Sequence, residues 1–278
     1  MTTISTEQFD RARQLALRLA GIELFDRHRG ILDTRSRRLG IGDSTAIEAL
    51  LDAADRGDEA ASRQLVGLLT TNFTGFFRHP HHFSAAAQHA LGVARDRGSA
   101  RTWSAAASTG EEPYSLAIAL IDAFGVPDPP VTIFASDIDV DALEVARAAE
   151  YGELALSTID DQCRRKHFEP SADSSGWLVT ADVRRLVEIR RVNLIDEDWP
   201  DGGSFDVIFS RNVLMYLEAG HREEVTRRMA SRLSPGGLLV LDPAEHLGQV
   251  GSLFTRRAAG IFTLRESART PLEHTRVA

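Results

Sequence analysis

Residues 101–117 read RTWSAAASTGEEPYSLA, and the fold turns on this stretch. Trp103 and the small residues Ala105, Ala106 and Ala107 suit a buried strand end. Ser108, Thr109 and Gly110 predict a tight turn. Glu111 and Glu112 fall in the first turn of a helix, where carboxylates meet the positive end of the dipole. Pro113 is tolerated there because its missing N–H is not needed. Leu116, Ala117 and Leu120 then recur at helical spacing. Strand, small-residue turn and helix form the unit that cradles a nucleotide-like ligand in doubly wound folds. The turn is not GxGxxG, and acids at the helix start repel phosphate, so the expected ligand has no pyrophosphate.

Downstream, strand and helix patterns alternate. Val131–Ser136 (VTIFAS) is an apolar strand, followed by Asp137, Ile138, Asp139 and a helix through Leu143, Ala146 and Arg147. Phe205–Ser210 is a further strand, then a helix near 220–233, the turn Ser234-Pro235-Gly236-Gly237 and a strand at Leu238–Leu241. This predicts an α/β fold with a parallel sheet and helices on its faces. The alternation breaks over residues 152–193. There Trp177–Val179, then Leu186, Val187 and Ile189, predict a small antiparallel excursion, with a polar turn at 171–176. Upstream, residues 5–92 read as helices. Phe9, Ala12, Ala16 and Leu19 form one apolar stripe, and Ile47, Leu50, Leu51 and Ala54 another, opened by Asp43 or Ser44 as cap. Residues 59–71 predict a further helix, Gly40 and Gly42 break the chain between helices, and Arg95–Gly98 reads as a linker. The expected division is a helical domain at 1–92 and an α/β domain at 93–278 carrying the insertion, with an unstructured tail at 266–278.

The 278 residues are 43% hydrophobic and 26% charged, as in globular domains able to bury a core. There is no long apolar run for a membrane span and no signal-peptide core. Cys163 is the single cysteine, so an intrachain disulfide is impossible and a cytoplasmic protein is expected; a monomer is expected as well. A net charge of −8 argues against nucleic acid as a partner. Residues 1–40 are nevertheless locally basic, with eight arginines against five acids, which suits an acidic partner surface. His79, His81 and His82 cluster, but nothing nearby completes a set of metal ligands, so no metal is expected.

Several residues stand where chemistry is done. Asp137 ends a strand, the place from which an acid grips ribose hydroxyls, although a helix N-cap is an equal reading. Asn193-Leu194 and Arg211-Asn212 come at strand ends later in the sheet, which form the ligand crevice of such folds. Arg78 offers a planar fork for a carboxylate. Tyr216 lies four residues past Asn212, on the same face if helical.

The run SAAASTGEEPYS resembles the signature of the CheR family, the chemotaxis receptor methyltransferases. ASDID at 135–139, NFTGFFR at 72–78, RHPHHF at 78–83, RVNL at 191–194 and SRNVLMYL at 210–217 resemble further family segments, and the likeness runs from about Gly21 to Phe262. The resemblance implies a Rossmann-like S-adenosylmethionine-dependent methyltransferase with an N-terminal helical domain and an inserted β-subdomain. It implies methyl transfer to glutamate side chains of chemoreceptors, with methyl-accepting chemoreceptors as partners. Among cofactor contacts it implies Asn72, Thr74, Arg78, Ala106, Glu112, Asp137, Asn193, Leu194, Arg211 and Asn212. Asp137 would meet the ribose, Glu112 the cationic methionine end, and Asn193 and Leu194 the adenine side. Arg78 and Tyr216 would act at the reacting carboxylate, and Arg35, Arg37 and Arg38 would present a basic helix to the receptor. Two departures stand out. The chain has Asp242-Pro243-Ala244-Glu245 where the family commonly has G-H-S-E, and Arg184-Arg185-Leu186 makes a short β-subdomain loop, which weakens docking of a receptor tail peptide. Another protein substrate on the same scaffold, or a non-catalytic docking module, are the alternatives. The intact Asn72, Arg78, Glu112 and Asp137 argue against the second.

Overall fold

The computed structural model describes residues 4–41, 43–172, 176–199 and 203–265. Gly42, residues 173–175 of the polar turn, and the tail at 266–278 lie outside the described residues.

The chain opens with four helices: α1 (Thr6–Ala20), α2 (Arg29–Arg38), α3 (Ser44–Asp55) and α4 (Glu59–Leu69). Their ends follow local chemistry. Ser5 and Gln8 form a reciprocal capping box on α1, and Gly21 closes it at φ 65. Asp43 and Asp58 accept the Ala46 and Ala61 N–H groups at 2.8 Å to start α3 and α4. The apolar stripes pack on one another, with Phe9, Leu15, Leu51 and Leu65 almost fully buried in one cluster.

Helix α5 (Pro80–Arg97) follows, with Pro80 in its first turn and Gly98 as left-handed cap. The stretch 95–98, expected as a linker, is therefore the last turn and cap of a long helix, and the break expected after residue 92 falls inside it. Its apolar face (Phe83, Ala86, Ala90) joins the cluster under the sheet, not that of α1–α4.

Then come β1 (Ala100–Ser104), α6 (Glu111–Phe124), β2 (Val131–Asp137) and α7 (Val140–Ala148). The insertion carries β3 (Glu150–Tyr151), α8 (Asp161–His167), β4 (Phe168–Pro170), β5 (Trp177–Val179) and α9 (Ala181–Arg184). The chain closes with β6 (Val187–Arg191), β7 (Phe205–Phe209), α10 (Ala219–Arg232), β8 (Leu233–Val240), β9 (Phe254–Ala258) and β10 (Ile261–Leu264). The main sheet has seven strands in the order β6-β2-β1-β7-β8-β10-β9, with the first five parallel and β10 antiparallel to β8 and β9. A separate antiparallel sheet runs β3-β5-β4. Alternate strand residues face opposite sides. Ile133, Val207 and Phe209 meet α5 and α6, whereas Phe134, Ile208 and Leu239 meet Trp199 and α10.

Three local expectations change. Val187 and Ile189 belong to the parallel edge strand β6, paired with β2, and not to the antiparallel excursion. Arg184-Arg185-Leu186 is no β-subdomain loop, because Arg184 ends helix α9. The Ser234–Gly237 turn is a bulge within β8: pairing jumps from Phe205↔Leu233 to Val207↔Leu238, and Gly236 takes φ 72.

Candidate functional site

The chain runs from β1 to β2 and β6 on one side, then to β7 and β8 on the other, which leaves a crevice at the carboxyl ends of β1 and β7. The turn after β1 is pinned from both neighbours. Ala105 N–H donates to the Phe209 carbonyl at 2.8 Å, and Ala107 N–H to the Ser136 carbonyl at 2.9 Å. Ser108 takes φ 50 and Gly110 φ 99, so the chain turns sharply into α6. A Cβ on Gly110 would lie 2.7 Å from the Tyr151 hydroxyl and 2.9 Å from Ala146 Cβ, which leaves room only for glycine.

The resulting cleft has about 990 Å³ of empty space including its open mouth. Every residue expected at the cofactor or the reacting carboxylate lines it: Asn72, Thr74, Arg78, Ala106, Glu112, Asp137, Asn193, Leu194, Arg211, Asn212 and Tyr216. They come from five separate stretches of chain. Arg35 borders a smaller neighbouring groove, and Arg37 and Arg38 lie on neither.

Asp137 ends β2 with both oxygens in use. One accepts the Ser108 N–H at 2.8 Å and the other the Asp139 N–H at 3.0 Å. The helix cap is Asp139, which accepts the Asp141 and Ala142 N–H groups. Asp137 is thus left facing the cleft with unused lone pairs. Burial pushes its carboxyl above the ordinary value, against the lowering effect of these N–H bonds. Glu112 accepts the Ser104 hydroxyl at 2.8 Å and pairs with Arg211 Nη1 at 3.1 Å, both side chains being buried. Burial raises its carboxyl too, opposed by Arg211 and Ser104. The second arginine nitrogen, Nη2, donates to the Arg78 carbonyl at 2.6 Å, tying the 72–78 segment to the sheet.

Two expected contacts are partly occupied within the protein. Asn72 donates its amide to Asp139 at 2.7 Å. The Asn193 amide nitrogen donates to the Leu19 carbonyl and to Asp196, each at 2.9 Å, and its oxygen accepts the Ile195 N–H at 3.4 Å, which leaves one lone pair of that oxygen for a ligand. Tyr216 sits in a single 3-10 turn, Leu214–Tyr216, after Asn212 in the left-handed region at φ 57. It reaches the cleft by that turn, not by an α-helical face.

Glu245 is the residue that motif reading left without a role. It is buried and accepts backbone N–H groups from Asn212 and Asp242 at 3.0 Å, Val213 at 3.1 Å and Met215 at 3.3 Å. Its carboxylate shapes the loop that presents Asn212 and Tyr216. Its one sequence signal is an acid two residues after a proline turn at a strand end. His82 also proves structural: its Nε2 lies 2.9 Å from the Ala259 carbonyl, and burial lowers its pKa to about 4. Among the described residues no group of three or more His, Cys, Asp or Glu side chains is placed to hold a metal.

The donor set fits a nucleoside carrying a cationic tail. Small and branched residues (Ala106, Ile138, Val192, Leu194) offer flat apolar walls, Asp137 an acceptor for a diol, and Glu112 a buried negative charge. Ser108 Oγ is buried beside this wall without a partner. The sheet order, the acid after β2 and the anionic rather than phosphate-binding helix start define the S-adenosylmethionine-dependent methyltransferase class. S-adenosylmethionine is the cofactor.

Residues 72–260 match the family model described as CheR methyltransferase, SAM binding domain, and the chain belongs to that family. It is 37% identical over 267 residues to the chemotaxis protein methyltransferase of Salmonella typhimurium, covering 94% of this chain and 91% of that one. The corresponding protein of Escherichia coli is 36% identical over 267 residues, with 94% and 92% covered. Chemotaxis protein methyltransferase 2 of Pseudomonas aeruginosa is 38% identical over 246 residues, with 86% of each chain covered. No helix among the described residues is long and apolar enough to cross a membrane.

Proposed function

We propose that the protein methylates glutamate side chains of chemoreceptors in chemotaxis, forming glutamyl methyl esters at the cytoplasmic face of the membrane. The observation that carries this reading is Arg78. It is a third exposed and lines the same cleft as Glu112 and Asp137, whereas the other arginine there, Arg211, is taken up by Glu112. A partly exposed planar cation with no short ion pair, at the edge of a cofactor cleft, suits a carboxylate substrate. The names of the relatives point the same way.

When bound, S-adenosylmethionine supplies a methyl group on a cationic sulfur. A substrate glutamate has a reference pKa of about 4.3, so it arrives ionised and needs no general base. The methyl group would pass to its oxygen, and the C–S electron pair would remain on sulfur, which leaves as part of a neutral thioether. The residues supply alignment and exclusion of water. Asp137 and Glu112 hold the two ends of the cofactor, Arg78 orients the carboxylate, and Tyr216 borders the channel. Opposite charges cancel in the transition state, so a tightly held carboxylate would react more slowly. Arg78 therefore orients and does not activate.

The test is transfer of tritiated methyl from S-adenosylmethionine to receptors in membranes of the source organism. Label should enter receptor bands and leave as methanol in mild alkali. Label that survives alkali, or an absence of labelled receptor with folded protein, refutes the reading.

A further inference from the structure

We propose that Asp242 is a positioning residue for this reaction: its carboxylate holds the Arg78 guanidinium at the cleft wall as a counter-charge, which the substrate carboxylate partly displaces. The inference rests on the reading of Arg78 as the residue that meets the substrate.

Asp242 follows β8 and is fixed on three sides. Its own N–H donates to Glu245 at 3.0 Å, its Oδ1 accepts the Ala244 N–H at 3.0 Å, and Pro243 locks the next backbone angle. The remaining oxygen, Oδ2, is buried and makes no hydrogen bond. It lies 3.6 Å from Arg78 Nη2 and 3.4 Å from His79 Nε2. An anionic oxygen held still, beyond hydrogen-bond reach but within ion-pair reach of the cleft arginine, is poised and not saturated. Burial pushes its carboxyl up, but the Ala244 N–H, the Asn212 amide and the neighbouring Arg78 and His79 side chains together hold it below the ordinary value, so the counter-charge persists at neutral pH.

The other restraints on Arg78 explain why the counter-charge matters. Its main chain is anchored by Arg211 and by the left-handed residues Phe77 and His79 on either side. Among the described residues, its side chain otherwise makes a 3.3 Å bond to the Phe73 carbonyl and a 5.4 Å stack on the exposed Phe73 ring. Among the described residues, Asp242 is the carboxylate within ion-pair reach of it. With that charge present, a substrate carboxylate shares Arg78 and keeps its nucleophilicity. Without it, the arginine binds the carboxylate harder in the ground state, where the charge is full, than in the transition state, where it is being lost.

The experiment measures receptor methylation by D242N, D242S, R78A and D242N/R78A. Both Asp242 variants keep an acceptor for the Ala244 N–H, and thermal melts select those that fold. In D242N and D242S, KM for receptor should fall about threefold to tenfold and kcat by a similar factor, the size of a partly exposed ion pair. The affinity for S-adenosylhomocysteine should stay within about twofold. In the R78A background D242N should add nothing. Unchanged KM and kcat in folded D242N and D242S overturn the proposal, as does the same shift with Arg78 absent. If R78A itself behaves as wild type, the reading of Arg78 as the substrate contact fails, and this proposal falls with it.

Discussion

Asp137→Ala tests whether an acid that clearly holds the backbone also holds the ligand. In the protein alone the carboxylate satisfies two N–H groups, Ser108 at 2.8 Å and Asp139 at 3.0 Å. Removing it leaves both unpaired in a buried site, at about 1–3 kcal/mol each, so unfolding free energy should fall by about 2–6 kcal/mol. The same carboxylate facing a ribose makes charge-assisted bonds of about 1.5–3 kcal/mol, so the affinity for S-adenosylhomocysteine should fall by about tenfold to more than a hundredfold. Loss of affinity alone does not separate a distorted turn from a lost contact. Calorimetry with the 2′-deoxy ligand does. Wild type should lose about tenfold on removal of the hydroxyl, and the variant almost nothing, because the partner is already gone. Equal losses in both proteins refute direct contact and leave Asp137 a structural residue of the turn.

Gly110→Ala should destabilise the fold by about 2–4 kcal/mol in denaturant, since the added methyl meets Tyr151 and Ala146 at φ 99, and a change under about 0.5 kcal/mol would refute the steric reasoning. His82 gives a pH signature. Its folded pKa of about 4 lies below the ordinary value, so the unfolded chain binds more protons in between, and stability is lost as pH falls from about 6.5 towards 4. At pH 5 this one group should cost about 2 kcal/mol relative to pH 7, and His82→Gln should flatten that part of the profile; an unchanged profile removes His82 as its cause. For receptor docking, Arg37→Ala/Arg38→Ala should raise KM for receptor and flatten its salt dependence without changing cofactor affinity, and a wild-type rate and salt profile would rule this face out. Arg35→Ala should instead lower the melting temperature, because its guanidinium bonds the Leu68 and Thr70 carbonyls and the Thr71 hydroxyl.

The contrast among these arginines shows what the sequence carried and what it could not. The β1–α6 unit was legible because its chemistry is local: a strand, a turn that needs Gly110, and acids at a helix start. The expected cleft residues were legible because strand ends and motifs mark position along the chain, and all of them line one cleft. Side-chain partners were not legible, because they depend on what folds against them. The basic N-terminal segment reads as a partner surface, yet Arg11 pairs with Glu48 and Asp52, Arg13 with Asp26, Arg18 with Asp55 and Arg37 with Asp33. Strand β6 was misplaced for a similar reason. Half-buried Val187 and Ile189 alternate with exposed Glu188 and Arg190, a one-faced pattern that an edge strand of the main sheet shares with an antiparallel insertion. Glu245 could not be recognised because a carboxylate serving four backbone N–H groups leaves no motif beyond itself.

The same feature links stability to chemistry. Asp137, Glu112 and Glu245 are buried acids, and each is engaged by donors that belong to the cleft's own walls. Burying three carboxylates so close together would be costly if they were unpaired. Here each one fixes a wall: the turn after β1, the Arg211 side chain, or the 212–215 loop. The helical unit closes the remaining side. Ile22 bridges Leu217, Glu23 N–H donates to the Tyr216 carbonyl at 2.9 Å, and Asn193 reaches the end of α1. Tyr216 is therefore held from the sheet side through Glu245 and from the helical side through residues 22–23. A cationic ligand entering this cleft meets acids already fixed in place, so little reorganisation accompanies binding, and the walls that orient it are the ones those acids hold together.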